Sequence, residues 1–248
     1  MRLANRIVLV TGANRGIGQA LLRALDKRQA GRIYAAARRA EEIVLDGLDA
    51  PERVVPLALD ITDAGQVEQA ARQCADVDVV INNAGINRNL WFLAPDGFDA
   101  ARAEMEINFF GTLRMCRAFA PLLRRRPGSA LVNLCSVLAL AAMPVNGTYS
   151  ASKAAVLSLI QSLRGELAAD GVRVVGVYPG PVDTRLTAGL EMPKATPESV
   201  AAAIIDGIEA GEDDIFPDAY ARQISAQWRT APEAVIADFA GALPGKAG

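Results

Sequence analysis

The chain has 248 residues, 51% hydrophobic and 22% charged, which fits one sizeable globular domain rather than a disordered or fibrous chain. Its net charge of −2 gives no general field to gather nucleic acid or an anionic membrane, so small-molecule chemistry is expected. With no histidine, the Ser-His-Asp triad, the Cys-His pair and the H-E-x-x-H zinc site are excluded, and any acid or base must be Tyr, Lys, Asp, Glu or Cys.

Taken in chain order, Arg2 to Arg6 lead into Ile7–Thr11, an apolar run too short for a signal peptide or a membrane span, which reads as a buried strand. Similar runs follow at Arg32–Ala37, Val54–Leu59, Val77–Asn82, Ala130–Ser136 and Arg173–Tyr178, and Asp214–Phe216 reads as a short edge strand. Helical stretches lie between them. One begins near Ile17 and is followed by Gly31; Asp63 opens another; one starts near Thr148 and closes at Gly171 after Asp170. Thr196-Pro197 reads as an N-cap and first-turn proline for a helix running to about Ala210. There is no repeat, linker or uninterrupted run of about 18 apolar residues. The alternation predicts a single α/β domain over residues 1–248: a Rossmann fold with a doubly wound, mostly parallel sheet of six to seven strands and helices on both faces. Its ligand crevice belongs beyond the carboxyl ends of the strands. Cys74, Cys116 and Cys135 are scattered and odd in number, so reduced thiols in a soluble, cytoplasmic protein are expected.

Thr11-Gly12-Ala13-Asn14-Arg15-Gly16-Ile17-Gly18 follows the first strand and opens the first helix. Glycines there let the backbone approach a pyrophosphate, and the helix N-terminus offers unpaired N–H groups to the anion. A structural turn is the competing reading of the loop by itself. A site for the non-phosphorylated dinucleotide carries Asp or Glu at the end of the second strand; here that strand ends Ala36-Ala37-Arg38-Arg39, and Arg15 adds a third cation. Guanidinium forks suit a phosphate, so NADP(H) is expected in preference to NAD(H), with solvated surface arginines as the bland alternative. Asp60, in Leu57-Ala58-Leu59-Asp60-Ile61, is placed for the adenine edge, and Asn83-Ala84-Gly85 after Asn82 for the adenosine ribose.

Tyr149-Ser150-Ala151-Ser152-Lys153 puts a phenol and an ammonium on one helix face. An adjacent cation lowers a phenol's pKa and suits it to proton transfer. The spacing alone arises often by chance. Ser136, at the end of the fifth strand, adds a hydroxyl facing the same crevice, with a turn-capping role as the alternative.

With these marks in family order, together with Asn108 and Pro179-Gly180, the sequence resembles the short-chain dehydrogenase/reductase family in its compact, NADP-preferring branch. The resemblance implies a tetrad: Tyr149 as general acid/base, Lys153 lowering its pKa and holding the nicotinamide ribose, Ser136 orienting the substrate oxygen, and Asn108 holding a water in a proton relay. Pro179, Gly180, the Val182 backbone and the Thr184 hydroxyl are implied on the nicotinamide side. Substrate loops are expected at about 86–96, 138–147 and 181–196, with Leu138, Met143, Val145, Trp91, Leu186 and Met192 near the substrate. Such apolar loop residues equally often pack against the core or a neighbouring subunit. Apart from Arg185 and Lys194, no cation in these loops is well placed to grip a carboxylate or phosphate, which favours an apolar ketone, aldehyde or secondary alcohol. A 3-oxoacyl-thioester reductase and a non-catalytic NADP(H)-binding module are the alternatives. The resemblance also implies a homodimer or homotetramer, although the strong glycine-bearing final strand of many members is missing.

Overall fold

The computed structural model describes residues 1–244. Seven strands form one sheet in the order β3-β2-β1-β4-β5-β6-β7, with every pairing parallel. They are β1 Ile7–Thr11, β2 Arg32–Ala37, β3 Val54–Ala58, β4 Val79–Asn82, β5 Ala130–Leu134, β6 Arg173–Val177 and β7 Asp214–Ile215. The helices are α1 Gly16–Lys27, α2 Ala64–Gln73, α3 Gly97–Glu104, α4 Thr112–Leu123, α5 Gly147–Leu167, α6 Pro197–Ala210, α7 Ala219–Thr230 and α8 Pro232–Ala240. The expected doubly wound fold is thus present, and its strand order reverses between β1 and β4, where a crevice must open.

Alternation along the strands divides the core. Val8 and Val10 of β1 face α1 and α6 through Leu21, Leu25, Ile204 and Ile208. Leu9 faces the opposite layer, where Val67 of α2, Phe119 of α4 and Ile160 of α5 are buried. A third cluster joins Ala221 and Ile224 of α7 and Val235 and Phe239 of α8 to Val137 and Ala141 beyond β5.

Several helix ends follow the expected chemistry. Asp63 accepts from Gln66 N, and Thr196 accepts from Ser199 N one residue before Pro197. Gly171 takes a left-handed conformation, φ 68°, after the final turn of α5. The end of α1 differs from expectation: the left-handed residue is Gln29, φ 56°, while Gly31 is needed because a Cβ there would lie 2.8 Å from the Asn5 carbonyl oxygen. β4 also starts two residues later than expected, at Val79, and the Asp78 carboxylate just before it accepts from Ile7 N at 2.9 Å.

Between α3 and α4 the chain makes a widened π-helical turn over Met105–Gly111, with Asn108 buried inside it. Such turns recur at functional sites. No helix among the described residues is long and apolar enough to cross a membrane.

Candidate active site

A cleft of about 1480 Å³ lies beyond the carboxyl ends of the strands. At its floor, β1 and β4 are stitched together. The Thr11 hydroxyl accepts from Asn83 N at 3.0 Å and Ala84 N at 3.1 Å, while Asn83 Nδ2 donates to the carbonyls of Thr11 at 2.9 Å and Gly12 at 3.1 Å. The closeness requires glycine: a Cβ at Gly12, where φ is 65°, would lie 2.9 Å from Ala84 Cα, and one at Gly18 would lie 2.1 Å from the Gly12 oxygen. Gly16, φ 54°, brings the loop against Thr184, whose Cγ2 lies 3.1 Å from where a Cβ would stand. Arg15 precedes α1 without a side-chain cap, and the first turn of α1 holds no acidic residue, so its N–H groups remain available to an anion. These are the features a dinucleotide pyrophosphate needs.

Most of the expected cofactor residues line the cleft, among them Asn14, Arg15, Ile17, Arg38, Arg39, Asp60 and Ile61 at the adenosine end. Gly85, Pro179, Gly180, Val182 and Thr184 line the other end. Thr11, Gly18 and Asn108 stand behind the surface and shape it. Asp60 directs one carboxylate oxygen to Thr62, accepting from its N at 2.9 Å and its Oγ1 at 2.7 Å. The cations differ from one another. Arg38 has no side-chain partner among the described residues, whereas Arg39 Nε donates to Glu42 Oε1 at 2.6 Å.

Ser136, Tyr149 and Lys153 converge on the cleft from the end of β5 and from α5. Lys153 is buried and has no carboxylate partner among the described residues; Nζ donates to the Leu134 carbonyl at 2.9 Å and lies 5.6 Å from the Tyr149 ring centroid. Burial pulls the lysine's pKa down. An ammonium buried without a counter-ion costs stability, which is a reason to look for a function. The Tyr149 phenol is pushed up, mainly by burial and then by Cys135 and the Glu104 carboxylate, with the Ser136 hydroxyl pulling the other way. This is opposite to the direction expected from a neighbouring cation, because burial is the largest influence on the phenol. The Asn108 side chain is fully engaged: Oδ1 accepts from Ile86 N at 2.8 Å, and Nδ2 donates to the Ile86 carbonyl and Ser152 Oγ, both at 2.9 Å. Its amide is committed to the loop after β4. A Cβ at Gly85 would lie 3.0 Å from Asn108 Oδ1 and 3.7 Å from Lys153 Nζ, so that glycine lets both approach.

Leu138, Met143, Val145, Leu186, Met192 and Arg185, expected near the substrate, line the cleft. Trp91 does not, and Lys194 Nζ donates to the Thr187 carbonyl at 2.9 Å rather than facing the cleft. Tyr220 and Glu42 are among the lining residues that escaped the sequence reading. Tyr220 comes from α7, far along the chain, where no local pattern marks it. Glu42 follows the arginines in a short 3-10 turn, where a carboxylate three residues after Arg39 looks like an ordinary solvated pair.

A phosphate-ready turn at the reversal of a parallel sheet, facing a partly buried phenol and a buried ammonium, defines the class of dinucleotide-dependent oxidoreductases. Within that class the chain belongs to the short-chain dehydrogenase/reductase family: the model described as short chain dehydrogenase matches residues 6–194. It is an oxidoreductase of the CH–OH/C=O type. It is 32% identical to 1-deoxy-11-beta-hydroxypentalenate dehydrogenase from Streptomyces exfoliatus, with 92% of this chain and 90% of that protein covered. Ketoacyl reductase HetN from Nostoc sp. is 30% identical, with 84% of this chain and 76% of that protein covered. Among solved structures, a short-chain dehydrogenase from Burkholderia cenocepacia J2315 in complex with NADP is 40% identical, covering 96% of this chain and 99% of that one, with a TM-score of 0.90.

Proposed function

We propose that the chain, acting as one catalytic unit over residues 1–248, is an NADP(H)-dependent oxidoreductase for an apolar ketone or aldehyde and the matching alcohol. The observation that carries this reading is the convergence on the cleft of the partly buried Tyr149, the buried Lys153, which has no carboxylate partner among the described residues, and Ser136. When bound, the nicotinamide supplies or accepts the hydride. Tyr149, kept protonated by burial, hands its Oη proton to the substrate oxygen in reduction and takes it back in oxidation. The Ser136 hydroxyl donates to the same oxygen and holds it in place. Lys153 Nζ binds the ribose hydroxyls and favours the phenolate when Tyr149 ionises. Asn108, through Ile86 and Ser152, fixes the loop that Gly85 belongs to.

The phosphorylated cofactor is favoured by Arg15, Arg38 and Arg39 at the adenosine end, where no carboxylate ends β2. The NADP complex of the Burkholderia relative supports the same choice. Leu138, Met143 and Val145 supply apolar walls for the substrate. The name of the Nostoc relative gives a 3-oxoacyl thioester as the second substrate class. The same reading includes a homodimer or homotetramer in the cytoplasm, checked by sedimentation and cell fractionation. The decisive assay is an initial-rate screen of ketones, aldehydes, alcohols and 3-oxoacyl thioesters with both cofactors, repeated on Tyr149→Phe. Turnover should fall at least about 100-fold in the variant while NADPH binding persists. Retained turnover would remove Tyr149 from the mechanism, and binding without turnover on any substrate would favour a regulatory module.

A further inference from the structure

Glu42 is a carboxylate at the place where the cofactor reading puts a phosphate. It leaves the short turn Ala40–Glu42 after β2 and lines the adenosine end of the cleft. Its two oxygens are held from opposite sides. Oε1 accepts from Arg39, from Nε at 2.6 Å and also from Nη2, while Oε2 accepts from Asn14 Nδ2 of the glycine loop at 2.7 Å. A guanidinium fork on one oxygen and an amide on the other is the pattern of donors that phosphate oxygens also take. The hydrogen bonds from Arg39 and Asn14, and to a lesser degree the charge of Arg15, hold this carboxylate below its ordinary pKa, so it is ionised at neutral pH. Arg38 lines the same cleft and has no side-chain partner among the described residues.

We propose that Glu42 is a specificity-determining residue that occupies part of the 2′-phosphate seat and so limits the chain's preference for NADP(H) over NAD(H). The proposal rests on the assignment of Arg15, Arg38 and Arg39 to that phosphate. A 2′-phosphate entering among the arginines meets a like charge already bonded to one of them. Glu42 must then leave its two partners or share Arg39, and either weakens binding. A ribose bearing a free 2′-hydroxyl makes no such demand, because a hydroxyl donates to a carboxylate and leaves the Arg39 pair in place. Three cations therefore act with less than their full charge, and discrimination between the cofactors is smaller than the arginines alone imply.

The test is calorimetric titration of the full chain with adenosine 2′,5′-bisphosphate and with ADP, for wild type, Glu42→Gln and Arg38→Ala. Glu42→Gln keeps the size and the acceptor for Asn14 but removes the charge. The expected result is about three- to tenfold tighter binding of the 2′-phosphorylated probe, less than about twofold change for ADP, and a gain that shrinks as salt is raised. The matching rise should appear in the NADPH-to-NADH ratio of kcat/KM. An unchanged ratio, equal changes in both probes, or selective loss of the 2′-phosphorylated probe overturns the proposal. Arg38→Ala judges the underlying assignment separately, since it should weaken only the 2′-phosphorylated probe. If Arg38→Ala changes neither probe, the phosphate assignment fails and the proposal falls with it; if it weakens only the 2′-phosphorylated probe, the Glu42→Gln ratio decides the role of Glu42 alone.

Discussion

Replacing Gly18 by alanine sets two opposed effects against each other at one atom. Gly18 lies in the first turn of α1, and an alanine inside a helix is ordinarily more stable than glycine by about 0.5–1 kcal/mol. The added Cβ, however, would lie 2.1 Å from the Gly12 oxygen and 2.6 Å from Asn83 Nδ2. A carbon–oxygen contact normally needs about 3.3 Å, so the loop must move by roughly 1.2 Å. The obstacle is backbone, which cannot turn aside, and overpacking of this kind costs about 1–3 kcal/mol. The clash wins, with a net loss of about 1–2 kcal/mol and a fall in Tm of roughly 2–8 °C. Because the atoms that move form the pyrophosphate cradle, cofactor affinity should fall about 10- to 100-fold. Gly165, in α5, is the control: no atom lies within 4 Å of its Cβ position, so Gly165→Ala should show the helix gain alone and raise Tm by roughly 1–4 °C. Thermal melts and NADPH titrations of the two variants decide the matter. If Gly18→Ala behaves like Gly165→Ala, with raised Tm and unchanged affinity, the close approach of the glycine loop to Asn83 does not hold.

Burial raises Tyr149 above its ordinary value, so the phenol of the cofactor-free chain stays protonated through neutrality. The phenolate absorbance lost in Tyr149→Phe should emerge only above about pH 10, and its appearance near neutrality would contradict the burial argument. The three thiols are also buried and raised, Cys135 to about 11 and Cys74 and Cys116 to about 12. An aromatic disulfide reagent at about pH 8 should therefore label none in the native chain and all after unfolding; rapid native labelling would refute their inertness. Asp218 caps α7 by accepting from Ala221 N at 2.8 Å and holds the loop after β6 by accepting from Gly180 N at 2.8 Å. Asp218→Ala should lose about 1–2 kcal/mol in denaturant melts and raise the KM for NADPH, and a stability loss with unchanged KM would confine Asp218 to capping.

The sheet was legible because a strand buried on both faces is written as a continuous apolar run. Ile7–Thr11 and Arg32–Ala37 were read to the residue for that reason. Val77 was misplaced because its apolar character serves the layer around α2 and α4 while the ladder begins at Val79. The glycine loop and the Ser136, Tyr149 and Lys153 positions were legible from local spacing and strand-end placement. What escaped depends on contacts between distant segments. Glu42 gains its meaning only when Asn14 reaches it, and Tyr220 enters the cleft on a helix that carries no motif. The direction of the Tyr149 shift was misjudged because four-residue spacing shows the cation but not the depth of burial.

The widened turn at Met105–Gly111 sets a limit on how this chain can change length. A π-helical turn amounts to one residue more than an α-helix needs, so deleting a residue there would restore regular hydrogen bonding and relieve the irregularity. Each residue of an α-helix, however, accounts for about 100° of rotation. The deletion would swing Met115, Phe119 and Leu123 away from the sheet, or turn Asn108 away from Ile86 and Ser152. The locally more regular helix is therefore closed to descent by single-residue deletion, and the irregularity is inherited as a fixed phase between the two halves of one long helical arm.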